Sequence, residues 1–329
     1  MSDLLEVPIY PRAELDAPQV GPIDLALGAA ALGVIREIGF VNLRLSPAQE
    51  ETMEELFAAG EEFFSQSLKD KMNHVDDLSN RAVGYRPHGA AYDRKMNLDE
   101  NDSFITRMLD GEEALIPGEE RPKATRLIAA MGSFRDLIAV PTVQTIDAAL
   151  ADYYDYPYSM PFREGSVVQV NNYCLADERK AEGIEHIALN GPDSAQFQGE
   201  HEDGDKLTVL SSNWHGLVGR TNTGVYIPIS HGSKGNRAIS VFGSGVLEDA
   251  TAGEIKSFRH KAYNYMTCGS DVRRLVPTYF SSPDTPPGVA IPAYKGSQDV
   301  ATSAQKATAQ FGIGENFVNR PTLRRRTSA

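Results

Sequence analysis

Residues 199–210 read GEHEDGDKLTVL. Side chains two apart on an extended chain share a face, so His201 and Asp203 project to the same side. Leu207, Thr208, Val209 and Leu210 follow at once as a short apolar and β-branched run, the pattern of a strand bounded by turn-forming glycine and aspartate. The stretch therefore puts a pair of metal-capable side chains at the mouth of a buried strand.

Working outward, the same texture continues in both directions. VVQVNNY (167–173), KLTVLSS (206–212), TGVYIPIS (223–230), AISVFG (238–243) and VPTYF (276–280) are short and rich in β-branched and aromatic residues, and NTG, HGSKGN and FGSG separate several of them. Many short strands at regular spacing predict an all-β sandwich or barrel rather than a sheet of βαβ units. The first half has a longer period. Residues 25–38, LALGAAALGVIREI, predict a helix closed by Gly39, followed by a strand over 40–45. Ser46, Pro47 and Gln49 or Glu50 then supply an N-cap, a proline at the first helical position and a capping-box partner for a helix running through MEELFAAGEEFFSQS. Leu56, Phe57, Phe63 and Phe64 recur at helical spacing as its core face, and 125–153 is a second long helical pattern. Residues 80–101, with their glycines and aromatics, predict a functional loop. The proline-rich 281–292 connects to a C-terminal segment over 301–320.

Composition excludes several classes. At 329 residues the chain is long enough for a large core. A net charge of -13 leaves no basic stripe to replace phosphate counterions, which argues against nucleic-acid binding. Arg320, Arg324, Arg325 and Arg326 cluster near the end, as a solvated tail or a clamp for an anionic group. Two cysteines, Cys174 and Cys268, make no disulfide framework and fit a reducing compartment. The acidic start lacks the basic flank and apolar core of a signal peptide, and no apolar run approaches the ~20 residues that span a bilayer. The expectation is a cytoplasmic protein, a monomer or weak oligomer, that handles a small molecule.

Seven histidines are present, so most are surface or satisfied core residues. His260, in SFRHKA, lies far enough beyond His201 for several antiparallel strands to return it across a barrel. Two imidazoles and a carboxylate form the facial triad of non-haem Fe(II) sites, with open positions left on the metal. His88 and His186 fall in polar loops and His74 near a helix end, while His215 and His231 stand at strand or turn edges without a suitably spaced carboxylate. Zinc is the competing metal, but a structural zinc site wants four ligands and neither cysteine has a CxxC partner.

Several of these segments together resemble one family. HEDGDKLTVL is similar to the H-x-D strand, and FGSGVLEDATAGEIKSFRH (242–260) to the run leading to the distal histidine, of the isopenicillin N synthase and deacetoxycephalosporin C synthase family of Fe(II)/2-oxoglutarate oxygenases. Phe40-Val41 and Asn171-Asn172-Tyr173 resemble two further segments of that family. The resemblance implies a single oxygenase domain over 1–329, mainly β with flanking helices. Residues 1–160 would be mostly helical, 161–285 a double-stranded β-helix (jelly-roll, cupin-like) core, and 286–329 a C-terminal helix and lid or tail. It further implies Fe(II) held by His201, Asp203 and His260, with 2-oxoglutarate as cosubstrate and O₂ as oxidant.

The family places an Arg-x-Ser pair on a late strand, where it binds the far carboxylate of 2-oxoglutarate. Arg274 takes the arginine place in one register and Arg273 in another. Val276 or Leu275 then stands where the serine is expected, so neither register restores a hydroxyl. Tyr173 or Thr208 can supply one instead, with Asn171 beside them. The resemblance also puts Arg81, Tyr85, Tyr92 and Phe104 in the substrate region, and Phe317, Asn319 and Arg320 in a closing lid. The implied reaction is hydroxylation, desaturation or ring formation on a small specialised metabolite, of the antibiotic or secondary-metabolite kind, with succinate and CO₂ as co-products. Two alternatives stay open: an isopenicillin N synthase-like oxidase that does not use 2-oxoglutarate, and a barrel that binds a small ligand without turnover.

Overall fold

The computed structural model describes residues 9–74, 84–86, 101–106, 122–153, 166–173, 196–203, 205–263 and 273–281. After the two-residue strands β1 (Ile9–Tyr10) and β2 (Leu15–Asp16), helix α1 (Leu25–Ile38) is capped by the Asp24 carboxylate, which accepts from the Leu27 amide. It stops at Gly39, whose φ of 111° is a conformation that costs glycine little. The chain then enters β3 (Phe40–Arg44) directly. Helix α2 (Pro47–Phe64) opens on the capping box expected of its sequence: Ser46 accepts from the Gln49 amide and the Gln49 side chain returns to the Ser46 backbone.

A short helix α3 (Leu68–Met72) and strands β4 (Gly84–Arg86) and β5 (Asp102–Thr106) follow. The helical pattern over 125–153 is present as α4 (Pro122–Phe134) and α5 (Val140–Tyr153), joined by one π-helical stretch at Arg135–Ala139. The remaining elements are β6 (Val167–Tyr173), β7 (Gln196–His201), β8 (Leu207–Leu210), β9 (Leu217–Arg220), β10 (Tyr226–Ser233), β11 (Asn236–Gly243), the short helix α6 (Gly245–Ala250), β12 (Arg259–Tyr263) and β13 (Arg274–Ser281).

Pairing arranges these strands as two layers. The larger runs β4-β5-β6-β13-β8-β11-β3-β2 and the smaller runs β10-β9-β12-β7. Strand β10 joins them, because Gly232 and Ser233 pair with β11 while Tyr226 to Ile229 pair with β9. Except for the parallel β2–β3 contact, the described pairings are antiparallel, the arrangement of a jelly-roll core. Strand β3 stands where the sequence expects one, but the first half is less purely helical than the sequence suggests, since β2, β4 and β5 also extend the larger layer and β1 adds to β10. These four segments are two to five residues long, too short to show a period.

Alternation along the strands sorts the apolar side chains into two cores. On one face of the larger layer, Leu43, Phe104, Val168, Val170, Val209, Val241, Leu275 and Tyr279 pack with the buried stripes of α1, α2, α4 and α5. On the other face Phe40, Tyr173, Leu210, Phe242 and Val276 meet Leu217, Ile229, Phe258 and Ala262 of the smaller layer and its approaches. The second core is the interior of the jelly roll. Among the described residues, no helix is long and apolar enough to cross a membrane.

Candidate metal centre and anion site

His201 and His260 are directly opposed residues of neighbouring strands β7 and β12, with ring centroids 4.3 Å apart. Asp203, two residues beyond His201, brings Oδ1 to 3.6 Å from His201 Nε2 and 3.7 Å from His260 Nε2. Those separations are too long for hydrogen bonds. Each residue offers one ligand atom, and all three atoms lie within 4.8 Å of one another. This spacing, with two nitrogens and one carboxylate oxygen converging from two strands, fits a divalent transition metal of the facial-triad kind.

Neighbouring groups fix each of these side chains. His260 Nδ1 donates to the Phe258 carbonyl at 3.0 Å, so in the neutral ring the lone pair belongs to Nε2, the atom that faces Asp203. The Thr208 hydroxyl donates to Asp203 Oδ2 at 2.6 Å and leaves Oδ1 turned toward both histidines. Phe242 and Phe258 pack beside the His260 ring at 5.0 and 6.0 Å. The Phe258 ring has room only because its neighbour on β9 is Gly219, where a Cβ would stand 1.9 Å from Phe258 Cζ. Next to the ligands, Arg259 Nε donates to Glu202 Oε1 at 2.6 Å and clamps β12 to β7. His201 keeps 28% of its side chain exposed, whereas His260 and Asp203 keep 7% each, so the cluster opens on the His201 side.

Deeper in the interior lies a buried cation. Arg274 begins β13 opposite Tyr173 of β6, and its guanidinium sits 4.7 Å over the Tyr173 ring. Arg273 lies on the other side, 3.6 Å from Glu61 of α2. Two residues along β13 from Arg274, Val276 belongs to the interior core with Tyr173, so the place of the expected serine is apolar. Asn171 lies on the same face of β6 as Tyr173, accepting from the Gln169 amide. Thr208, expected as a possible hydroxyl for the cosubstrate, donates to Asp203.

The sequence sets His231 at a strand or turn edge; it lies on strand β10 and is wholly buried. It is 0% exposed on β10, on the same strand face as Ile229 of the interior core. Burial, and then the positive charges of Arg274 and Arg237, push its pKa down to about 3. Burial, and after it the charge of Arg274, also lowers His215.

Two residues assigned to the substrate region are found elsewhere. Phe104 is fully buried in the helix-facing core against Phe63, and Tyr85 donates its hydroxyl to Asp102 Oδ2 at 2.7 Å, also behind the larger layer. The cause is register: Phe104 pairs with Val170, whose side chain points to the helices, and Tyr85 pairs with Phe104. Burial and the Asp102 carboxylate keep the Tyr85 phenol well above its usual range. Arg81, Tyr92, Phe317, Asn319 and Arg320 lie outside the described residues.

No family model matches this sequence, and neither does any curated protein sequence. Solved structures do match in fold. A full-length Neurospora crassa protein in complex with alpha-KG superposes with a TM-score of 0.60 at 18% identity, covering 86% of this chain and 90% of its own. The same protein in complex with alpha-KG and thymine gives 0.58 at 17%, covering 87% and 91%. A rice dioxygenase for auxin oxidation gives 0.54 at 16%, covering 78% of each chain. At these identities the likeness is one of fold.

Proposed function

We propose that this protein is an Fe(II)- and 2-oxoglutarate-dependent oxygenase acting on a small specialised metabolite. The observation that carries the reading is the convergence of His201 Nε2, Asp203 Oδ1 and His260 Nε2 on the interior of a jelly roll that also buries Arg274. Solved proteins of similar fold include ones with alpha-KG bound, which agrees with this donor set.

In this reading His201, Asp203 and His260 hold the metal on one face. Bound Fe(II) would supply the activation of O₂ coupled to oxidative decarboxylation of the 2-oxo acid to succinate and CO₂. The chain's own residues do the rest. Thr208 and the Phe258 carbonyl aim the ligand atoms without occupying them. Arg274 presents a planar fork to the far carboxylate, and its burial makes that pairing strong because little water competes. Leu210, Ile229, Phe242 and Val276 exclude water from the space between the two ends. Hydroxylation, desaturation or ring formation then follows from where the substrate C–H bond is held.

The apolar Val276 supports a second reading, an oxidase that takes iron and O₂ without 2-oxoglutarate. Anaerobic titration separates the two. A visible charge-transfer band on adding Fe(II) and then 2-oxoglutarate, absent in His201→Ala, is the expected result. Iron binding with no response to 2-oxoglutarate selects the oxidase, and failure to bind iron overturns both. A metabolite screen reporting succinate release identifies the substrate.

A further inference from the structure

Gln169 lies on β6 two residues before Asn171 and four before Tyr173, so the three side chains share one face of the strand. That face is the interior one. Tyr173 belongs to the interior core, and Gln169 is in register with Thr278 of β13 and, beyond it, with Leu210 of β8, another member of that core. Gln169 is buried, with 7% of its surface exposed, and its carboxamide lies against Asn171, Nε2 donating to Asn171 Oδ1. Its Oε1 is buried as well and has no hydrogen-bond partner among the described residues. An amide oxygen left in that condition carries a desolvation cost that the fold does not repay.

Topology sets this residue across from the metal-bearing strands. From the β10–β11 seam, the smaller layer runs through β9 and β12 to β7, and the larger runs through β8 and β13 to β6. Strands β6 and β7 are each fourth from the seam, so they oppose one another across the ~10 Å that separates stacked sheets. Strand β7 ends at His201, on the side where the cluster opens to solvent. Within the larger layer, Val167 pairs with Phe280 and Phe280 with Thr208, the residue that holds Asp203. Gln169 therefore stands two strands and two residues from Thr208, an offset of about 12 Å along the sheet. A small molecule seated beside the metal reaches Gln169 with its far end.

We propose that Gln169 determines specificity: its carboxamide recognises a substrate that carries an amide or imide, an N–H beside a C=O. The inference rests on the proposed oxygenase reading and names the substrate class of that same site. With Nε2 engaged by Asn171, Oε1 needs a donor, and Nε2 keeps a second hydrogen to give. Turning both amides over, so that Asn171 donates, leaves Gln169 with N–H groups that need an acceptor. An N–H next to a carbonyl answers either setting, whereas a hydrocarbon, an ether or a ketone offers the oxygen nothing. The outer torsion of a glutamine is broad, so the carboxamide can turn toward a ligand between the layers while the strand stays in place. An analogue without the N–H leaves the buried oxygen stranded, and that penalty is the source of the selectivity.

The test uses the full chain loaded with Zn(II) and 2-oxoglutarate, so that binding is read without turnover, and follows the ligands by NMR. The probes are 2-piperidone and glutarimide, their N-methyl derivatives, and cyclohexanone. The last is a ring of like size with a carbonyl and no N–H, which separates loss of the donor from the bulk of an added methyl group. The two N–H compounds should bind, and the N-methyl compounds and cyclohexanone should bind more weakly by about tenfold or more. That comparison needs no variant. Gln169→Leu, checked for folding by circular dichroism and for unchanged Zn(II) affinity, should narrow the preference to within about twofold. If 2-oxoglutarate binds but the N–H compounds do not, or bind no better than the others, this inference is overturned and the oxygenase reading stands. A preference that survives in Gln169→Leu has the same consequence. Failure of the metal-loaded protein to bind 2-oxoglutarate overturns the oxygenase reading, and this inference with it.

Discussion

The larger layer buries polar groups on both of its faces, and the two sets are built differently. On the helix-facing side the Asp102 carboxylate receives Lys71 Nζ at 2.7 Å, the Tyr85 hydroxyl at 2.7 Å and the Asn172 amide at 2.6 Å. That network closes around the Asp102 carboxylate, an anion with a cation and two neutral donors, and leaves only the Asn172 amide oxygen without a partner among its described residues. On the interior side, Asp203 keeps one oxygen engaged by Thr208 and turns the other toward two histidines, and His231 Nδ1 has no partner among the described residues. The closed set holds the fold together. The open set carries the desolvation cost of buried polar groups without the return, which is what a binding site requires before its ligand arrives.

The sharpest way to break this contrast is Asp102→Ala. It leaves the Lys71 charge buried beside two donors that have lost their acceptor, and should cost about 3–5 kcal/mol in a urea unfolding experiment. Asp203→Ala, by contrast, should lower metal affinity by more than about 100-fold, beyond the 10–100-fold typical of groups that only orient ligands. The stability of the metal-free protein should stay within about 1 kcal/mol. Competition with a chelator and unfolding of the metal-free form measure the two separately, and an equal loss of stability in both variants would erase the distinction. Thr208→Val keeps the shape but frees Asp203 Oδ2, so a loss of about 10–100-fold in metal affinity is expected from the same chelator assay.

The smallest effect is a dependence on pH. His231 is held down at about 3 in the folded protein against an ordinary value of 6.5, so the unfolded chain binds its proton first as the solution is acidified. Stability is then complete above the unfolded value and falls as the pH drops from 6.5 toward about 3, by about 1.4 kcal/mol per pH unit from this one group. Comparing the slopes of unfolding free energy against pH for the ligand-free protein and for His231→Asn isolates the contribution. Identical slopes would remove His231 from the open set.

How far the sequence carried depended on the range of each interaction. Local signals were legible: Asp203 two residues from His201, the Ser46–Gln49 capping box, and Gly39 ending α1 all depend on neighbours within a few positions. The return of His260 across the interior was readable because strand texture filled the intervening chain. Tyr85 and Phe104 were misplaced because the face they occupy is set by pairing with Val170 and by a carboxylate that bonds to Lys71, 31 residues from it in the chain. His231 was passed over for a related reason. It bonds to a hydroxyl that in turn bonds to an amide, residue types too common to announce a site, and they are assembled only by the β10–β11–β3 register.

Strand β7 has one further consequence. Among the described residues it ends the smaller layer, paired on one side only by β12, and it leads into two of the three metal-capable side chains. An ion held by His201 and Asp203 on one strand and His260 on the next would act as a rivet along that seam. Protein that has lost its metal would then fray from this edge first, exposing unpaired backbone to proteases and to other strands. Resistance to limited proteolysis at this border would therefore report metal content, and shortage of the metal in the cell would shorten the life of the protein.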